Sequence, residues 1–130
     1  MSYVLIFLSM EGCHYCTQFE KQWRILVDSL KGCEFYVFKK NPGVGGVVYD
    51  IPKCLRKYAG WFPSIILVTR DEFYKHFSSN DNLPQSEQND MIKGYKYDAN
   101  FDGDRQEFVR VGHDYEASQI AGWYKKMTGT

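Results

Sequence analysis

The sequence predicts an α/β fold built on a mixed sheet with helices packed against it. Three observations predict it. Apolar, β-prone runs at residues 3–8, 33–38 and 64–68 alternate with helical patterns, giving the order strand, helix, strand, helix, strand. A strand–helix–strand unit of this kind makes a right-handed crossover between parallel strands. The chain has 130 residues, of which 44% are hydrophobic and 17% aromatic, enough to bury one core and too much for a chain that stays disordered.

The elements follow in order. Residues 3–8 suit a strand buried on both faces, and Ser9, Met10, Glu11 and Gly12 turn the chain after it. From Cys16 onward Phe19, Trp23, Leu26, Val27 and Leu30 recur every three or four positions, the stripe of an amphipathic helix, and Gly32 stops it. Residues 33–38 form a second strand, followed by the turn formers Asn41, Pro42, Gly43, Gly45 and Gly46. A short helix is predicted over residues 51–58, with Pro52 in its first turn, where the missing N–H costs nothing, and Gly60 ending it. Pro63 then leads into the strand at 64–68. Residues 69–100 carry little pattern, and 78–90 read as an extended polar loop. Residues 106–111 offer a last strand with Phe108, Val109 and Val111, and Asp114 is placed to cap a final helix with Ile120, Trp123, Tyr124 and Met127 on one stripe. The whole reads as a single domain over 1–130 with an insertion at about 70–98 between the last two strands.

Charge narrows the function. Sixteen basic and sixteen acidic residues leave no net field for nucleic acid or an anionic membrane, so neither is expected as a partner. No apolar run approaches the roughly 20 residues of a spanning helix, and the run at 4–8 lacks a basic leader, so it reads as a strand and not a signal peptide. The expected location is cytoplasmic, where cysteines are more often redox-active, metal-binding or buried than locked in structural disulfides.

Of the four cysteines, Cys13 and Cys16 are separated by two residues at the start of the first helix. Exposed backbone N–H groups and the helix dipole stabilise negative charge there, which suits an attacking thiolate. Cys13 is the natural nucleophile, Cys16 one turn on can resolve a mixed disulfide, and His14 adds a donor beside the sulfur. Zinc sites use the same spacing, but Cys33, Cys54, His14, His76 and His113 supply no second ligand pair at structural-site spacing. Cys33 and Cys54 are expected to be core thiols, and no metal is expected. Residues 98–104 carry oxygen ligands and a glycine like the first half of a calcium loop, yet Val109 falls where the twelfth-position carboxylate belongs and flanking helices are missing, which favours a polar turn.

The run Val4-Leu5-Ile6-Phe7-Leu8 into Gly12-Cys13-His14-Tyr15-Cys16, then Trp61-Phe62-Pro63-Ser64, then Val111-Gly112, resembles the thioredoxin superfamily. The resemblance implies a three-layer thioredoxin-like fold with four to five strands in its central sheet. It also implies a protein thiol–disulfide oxidoreductase working through the Cys13–Cys16 dithiol and disulfide, without an organic cofactor. Its substrates would be protein disulfides or dithiols, with a separate regenerating redox partner. By the same resemblance Pro63 is cis and packs on the cysteine pair, His14 and Tyr15 support the pair, and Phe62, Trp61 and Gly112 contact substrate. Gly12, His14-Tyr15 and Phe7 stand where thioredoxins proper carry tryptophan, Gly-Pro and a buried aspartate; the tyrosine before the second cysteine is similar to glutaredoxins and some disulfide isomerases. The insertion at 70–98 is expected to serve docking or homodimerisation. The alternative reading is a non-catalytic binding module of the same fold, acting through its groove or insertion.

Overall fold

The computed structural model describes residues 2–40, 51–77, 91–97, 101–102, 107–108 and 115–130. Strand β1 (Tyr3–Met10) runs into helix α1 (His14–Ser29), strand β2 (Cys33–Lys40), a 3-10 helix (Lys53–Tyr58), strand β3 (Ser64–Thr69) and helix α2 (Arg70–His76). Three two-residue strands, β4 (Tyr95–Lys96), β5 (Phe101–Asp102) and β6 (Glu107–Phe108), precede helix α3 (Ala117–Thr128).

The main sheet has the order β2-β1-β3-β4. β1 lies parallel to β2 from Tyr3 opposite Cys33 to Met10 opposite Lys40, and antiparallel to β3 from Tyr3 opposite Thr69 to Leu8 opposite Ser64. The register brings the start of β3 to the same end of the sheet at which β1 hands over to the cysteines. β1 is apolar from Tyr3 to Leu8 because both of its faces are covered. Leu5 and Phe7, with Ile65 and Leu67 of β3, pack under α1 and α3, while Val4, Ile6 and Leu8, with Ile66 and Val68, pack under the 3-10 helix and α2. Three layers result, and the sheet is the middle one.

Helix α1 buries Cys16, Phe19, Trp23 and Leu26, at spacings of three, four and three, toward the sheet. Phe7, Phe19 and Trp23 meet with ring centroids 4.9–6.3 Å apart, and each such aromatic pair adds ~0.5–1.5 kcal/mol beyond its buried area. Val27, expected on this stripe, is 39% exposed, because it falls one position past the Leu26 contact and turns outward.

Several expectations are corrected. The helix expected over 51–58 is a 3-10 helix with Pro52 at its N-cap; Leu55 N–H donates to the Pro52 carbonyl and Ala59 N–H to that of Arg56, bonds three residues apart that suit so short a segment. The stretch expected as an insertion at 70–98 contains α2 and β4, and β4 is the fourth strand of the main sheet among the described residues. Tyr97 N–H donates to the Ile65 carbonyl at 2.8 Å, and Gly94 lies so close to β3 that a Cβ there would stand 2.5 Å from Val68 Cγ1. Of the expected last strand, Glu107–Phe108 pairs with Phe101–Asp102 in a separate two-stranded ladder. Helix α3 starts at Ala117 with Glu116 at the N-cap position and no side-chain cap of its own; Gln22 Oε1 of α1 accepts the Ala117 N–H at 2.9 Å instead. Asp114, the turn formers at 41–46, the polar loop at 78–90, and most of the calcium-like segment 98–104 lie outside the described residues. Among the described residues, no helix is long and apolar enough to cross a membrane.

Candidate functional site

After Met10 the chain turns through Gly12, whose φ of +77° suits a residue without a Cβ, and Cys13 N–H returns to the Met10 carbonyl at 3.2 Å. This turn sets Cys13 at the N-cap of α1. Its sulfur does what a serine or aspartate oxygen does at other helix starts: Cys16 N–H donates to Cys13 Sγ at 3.2 Å. The Cys13 carbonyl accepts from Thr17 N–H at 3.1 Å and from Thr17 Oγ1 at 3.2 Å, so the turn that carries Cys13 is held on the carbonyl side as well.

The two thiols differ in access. Cys13 is half-buried, whereas Cys16 is 1% exposed beneath it. Burial first, then the hydrogen bond and the charge of Cys13, push the Cys16 thiol up to about 12 against the lowering influence of the Met10 backbone and the Ser9 side chain. Ser9, 2% exposed, lies in β1 and not in the turn to which the sequence assigned it. Ser9 and Ser64 are the two buried polar residues among the described residues. Ser64 donates its hydroxyl proton to the Trp61 carbonyl; Ser9 faces Cys16.

Opposite the cysteines stands the segment before β3. The Phe62–Pro63 peptide is cis, Pro63 is buried, and the Phe62 carbonyl lies 3.8 Å from Cys13 Sγ. Lys40 Nζ sits 5.9 Å over the Phe62 ring. Trp61 is 72% exposed and Tyr15 50% exposed, two large apolar surfaces beside the half-buried sulfur. His14 is exposed at the helix start, with Nε2 at 3.1 Å from Gln18 Nε2 and its ring edge-on to Tyr15 at 5.9 Å. A cavity of about 180 Å³ opens beside Pro63, which lines it together with Tyr15, Gln18, Phe19, Gln22, Tyr115 and Glu116.

A mixed sheet ordered β2-β1-β3-β4, helices on both faces, a cysteine pair opening α1, and a proline facing it across the end of the sheet decide the architecture. The fold is thioredoxin-like. No family model matches the sequence, nor does any curated protein. Among solved structures, one described as the crystal structure of the Trx4 domain of ERdj5 is similar in overall shape, at 13% identity and a TM-score of 0.49, over 99% of this chain and 82% of that one.

On this thioredoxin-like framework Cys13, Cys16, His14, Tyr15, Trp61, Phe62 and Pro63 come together at one end of the sheet. Gly112 and His113 lie outside the described residues. Cys33 and Cys54 stand apart from the pair: Cys54 is buried under the opposite face and Cys33 is partly buried beside Tyr124, and burial pushes each up to about 11. Among the described residues, no three His, Cys, Asp or Glu side chains gather as metal ligands would. Ser9 and Glu116 are the site residues that sequence reasoning missed. A polar residue inside an apolar strand was the available signal for Ser9; nothing in the sequence marks Glu116.

Proposed function

We propose that the protein is a thiol–disulfide oxidoreductase acting on protein substrates through Cys13 and Cys16. The observation that carries the proposal is the asymmetry of the pair: one sulfur is accessible at a helix start, and the second is buried one turn below it with a strongly raised pKa. In the reducing direction Cys13 Sγ attacks one sulfur of a substrate disulfide, forms a mixed disulfide and releases the other half as a thiolate. Cys16 then gives up its proton, attacks Cys13 Sγ, closes the Cys13–Cys16 disulfide and frees the second half. Two electrons pass from the dithiol to the substrate, and an external thiol or dithiol reductant returns them. The chemistry requires no organic cofactor.

The order of events follows from the causes of the Cys16 shift. Two influences that raise it, the hydrogen bond and the charge of Cys13, disappear once Cys13 is bonded to substrate. Cys16 therefore keeps its proton while Cys13 attacks and yields it more readily when its own turn comes. Pro63 walls the groove, Phe62 offers backbone contacts, and Trp61 and Tyr15 supply apolar surface to a substrate chain, with His14 beside the nucleophile. A cytoplasmic setting fits the reducing direction.

Capture of a mixed disulfide tests the proposal. Cys16→Ser mixed with an oxidised protein such as insulin should accumulate a covalent adduct on Cys13, sensitive to dithiothreitol, while wild type and Cys13→Ser accumulate none. Absence of the adduct from a folded Cys16→Ser protein would leave the chain a groove-bearing binding module.

A further inference from the structure

The cavity beside Pro63 has a composition of its own. The buried residues Phe19, Pro63 and Tyr115 line it together with the half-exposed Tyr15, with Gln18 and Gln22, and with the exposed Glu116. Among the described residues that line it, Glu116 is the one acidic side chain, and no lysine, arginine or histidine is among them. The Gln22 amide oxygen is already engaged by Ala117 N–H at 2.9 Å, which fixes the side chain and pins the start of α3, and with it Glu116, against α1. A slot lined by aromatic rings, side-chain amides and one acidic residue suits a long cationic side chain, whose methylene stem lies on rings while its charged head meets the carboxylate.

The slot's position relates it to the cysteines. Pro63 is one residue from Phe62, whose carbonyl lies 3.8 Å from Cys13 Sγ. A substrate chain held at Cys13 advances ~3.3 Å per residue when extended, so a side chain within about two positions of its reacting cysteine reaches the slot. We propose that this cavity is a specificity subsite for an arginine or lysine close to the substrate's reactive cysteine, with Glu116 as the counter-charge. The inference rests on the thiol–disulfide exchange reading and adds a substrate class to it.

Three synthetic disulfide peptides, identical except for Arg, Gln or Glu two positions from the cysteine, test it on the full chain. Wild type at low salt should reduce the Arg peptide with a kcat/KM about three- to fivefold above the Gln peptide, the range of an exposed charge pair, and the Glu peptide below both. Near 1 M salt, where the screening length falls to ~3 Å, the preference should shrink toward unity. Glu116→Lys should invert the order, and Glu116→Gln should level the Arg and Gln peptides; circular dichroism checks that each variant is folded. Equal rates on all three peptides with wild type, or an Arg preference that survives in Glu116→Lys, would overturn the subsite while leaving the exchange chemistry standing. Failure of wild type to reduce any peptide would overturn both.

Discussion

Iodoacetamide added to the reduced protein at pH 8 should label Cys13 and spare Cys16. Only the thiolate reacts, and with the Cys16 pKa moved from 9.0 to about 12 its ionised fraction at this pH drops from about one in ten to about one in 10⁴. That is a thousandfold loss of reactivity before access is considered, and Cys16 is 1% exposed. Time-resolved quenching followed by peptide mass spectrometry gives the two rates separately. Cys13→Ala sharpens the test, because it removes the hydrogen bond and the charge that Cys13 contributes but leaves burial, the largest cause, in place. Cys16 in that variant should react faster than in wild type yet stay well below a free thiol. Wild-type rates for Cys13 and Cys16 within tenfold of each other would refute the assignment of nucleophile and resolving residue, since the asymmetry between them would not exist.

Other consequences concern the framework. Gly94→Ala should destabilise the protein by about 1–3 kcal/mol in denaturant titrations, because the new methyl would meet Val68 Cγ1 at 2.5 Å and the Leu67 carbonyl at 2.8 Å, both on β3; an unchanged midpoint would contradict the β3–β4 pairing. Tyr58→Phe removes a hydroxyl that donates to the Ile92 carbonyl at 2.8 Å and accepts from Gly94 N–H at 3.2 Å, so about 1–3 kcal/mol should be lost on the approach to β4. Alkali should weaken the fold through its buried thiols. Cys54, 4% exposed, is pushed by burial from 9.0 to about 11, so above pH 9 the unfolded chain loses a proton that the folded chain keeps. The stability is whole below pH 9 and falls as the pH climbs toward 11, by up to about 2.7 kcal/mol for this group. Cys54→Ala should flatten the slope of unfolding free energy between pH 9 and 11 by about that amount, and a slope equal to wild type would contradict the cause given.

How much of this was legible in the sequence depends on the length of the pattern. β1, α1 and β3 declare themselves because long apolar runs and a stripe of Phe19, Trp23 and Leu26 have one physical reading. The cysteine pair was legible for the same reason: its strand before and helix after are both strong. Helix α2 was missed although its signals are present, with Thr69 capping Glu72 N–H, Asp71 and Glu72 in the first turn and Lys75 and His76 in the last. Seven residues hold too few apolar positions to show a period. β4 has two residues and owes its place to tertiary contacts, the close approach of Gly94 to β3 and the Tyr58 hydroxyl, which no local pattern announces. The cap of α3 comes from Gln22, 95 residues earlier in the chain, which no local pattern around Glu116 announces.

The equilibrium redox titration of the Cys13–Cys16 pair in glutathione or dithiothreitol buffers, read by alkylation and mass, tests the central claim most directly. Exchange chemistry requires both thiols to disappear together in one two-electron transition, with a midpoint between about −270 and about −120 mV, the span of known dithiol oxidoreductases, and that transition should be abolished in Cys16→Ser. Two thiols that stay alkylatable at every potential, or that titrate independently of each other, would contradict it.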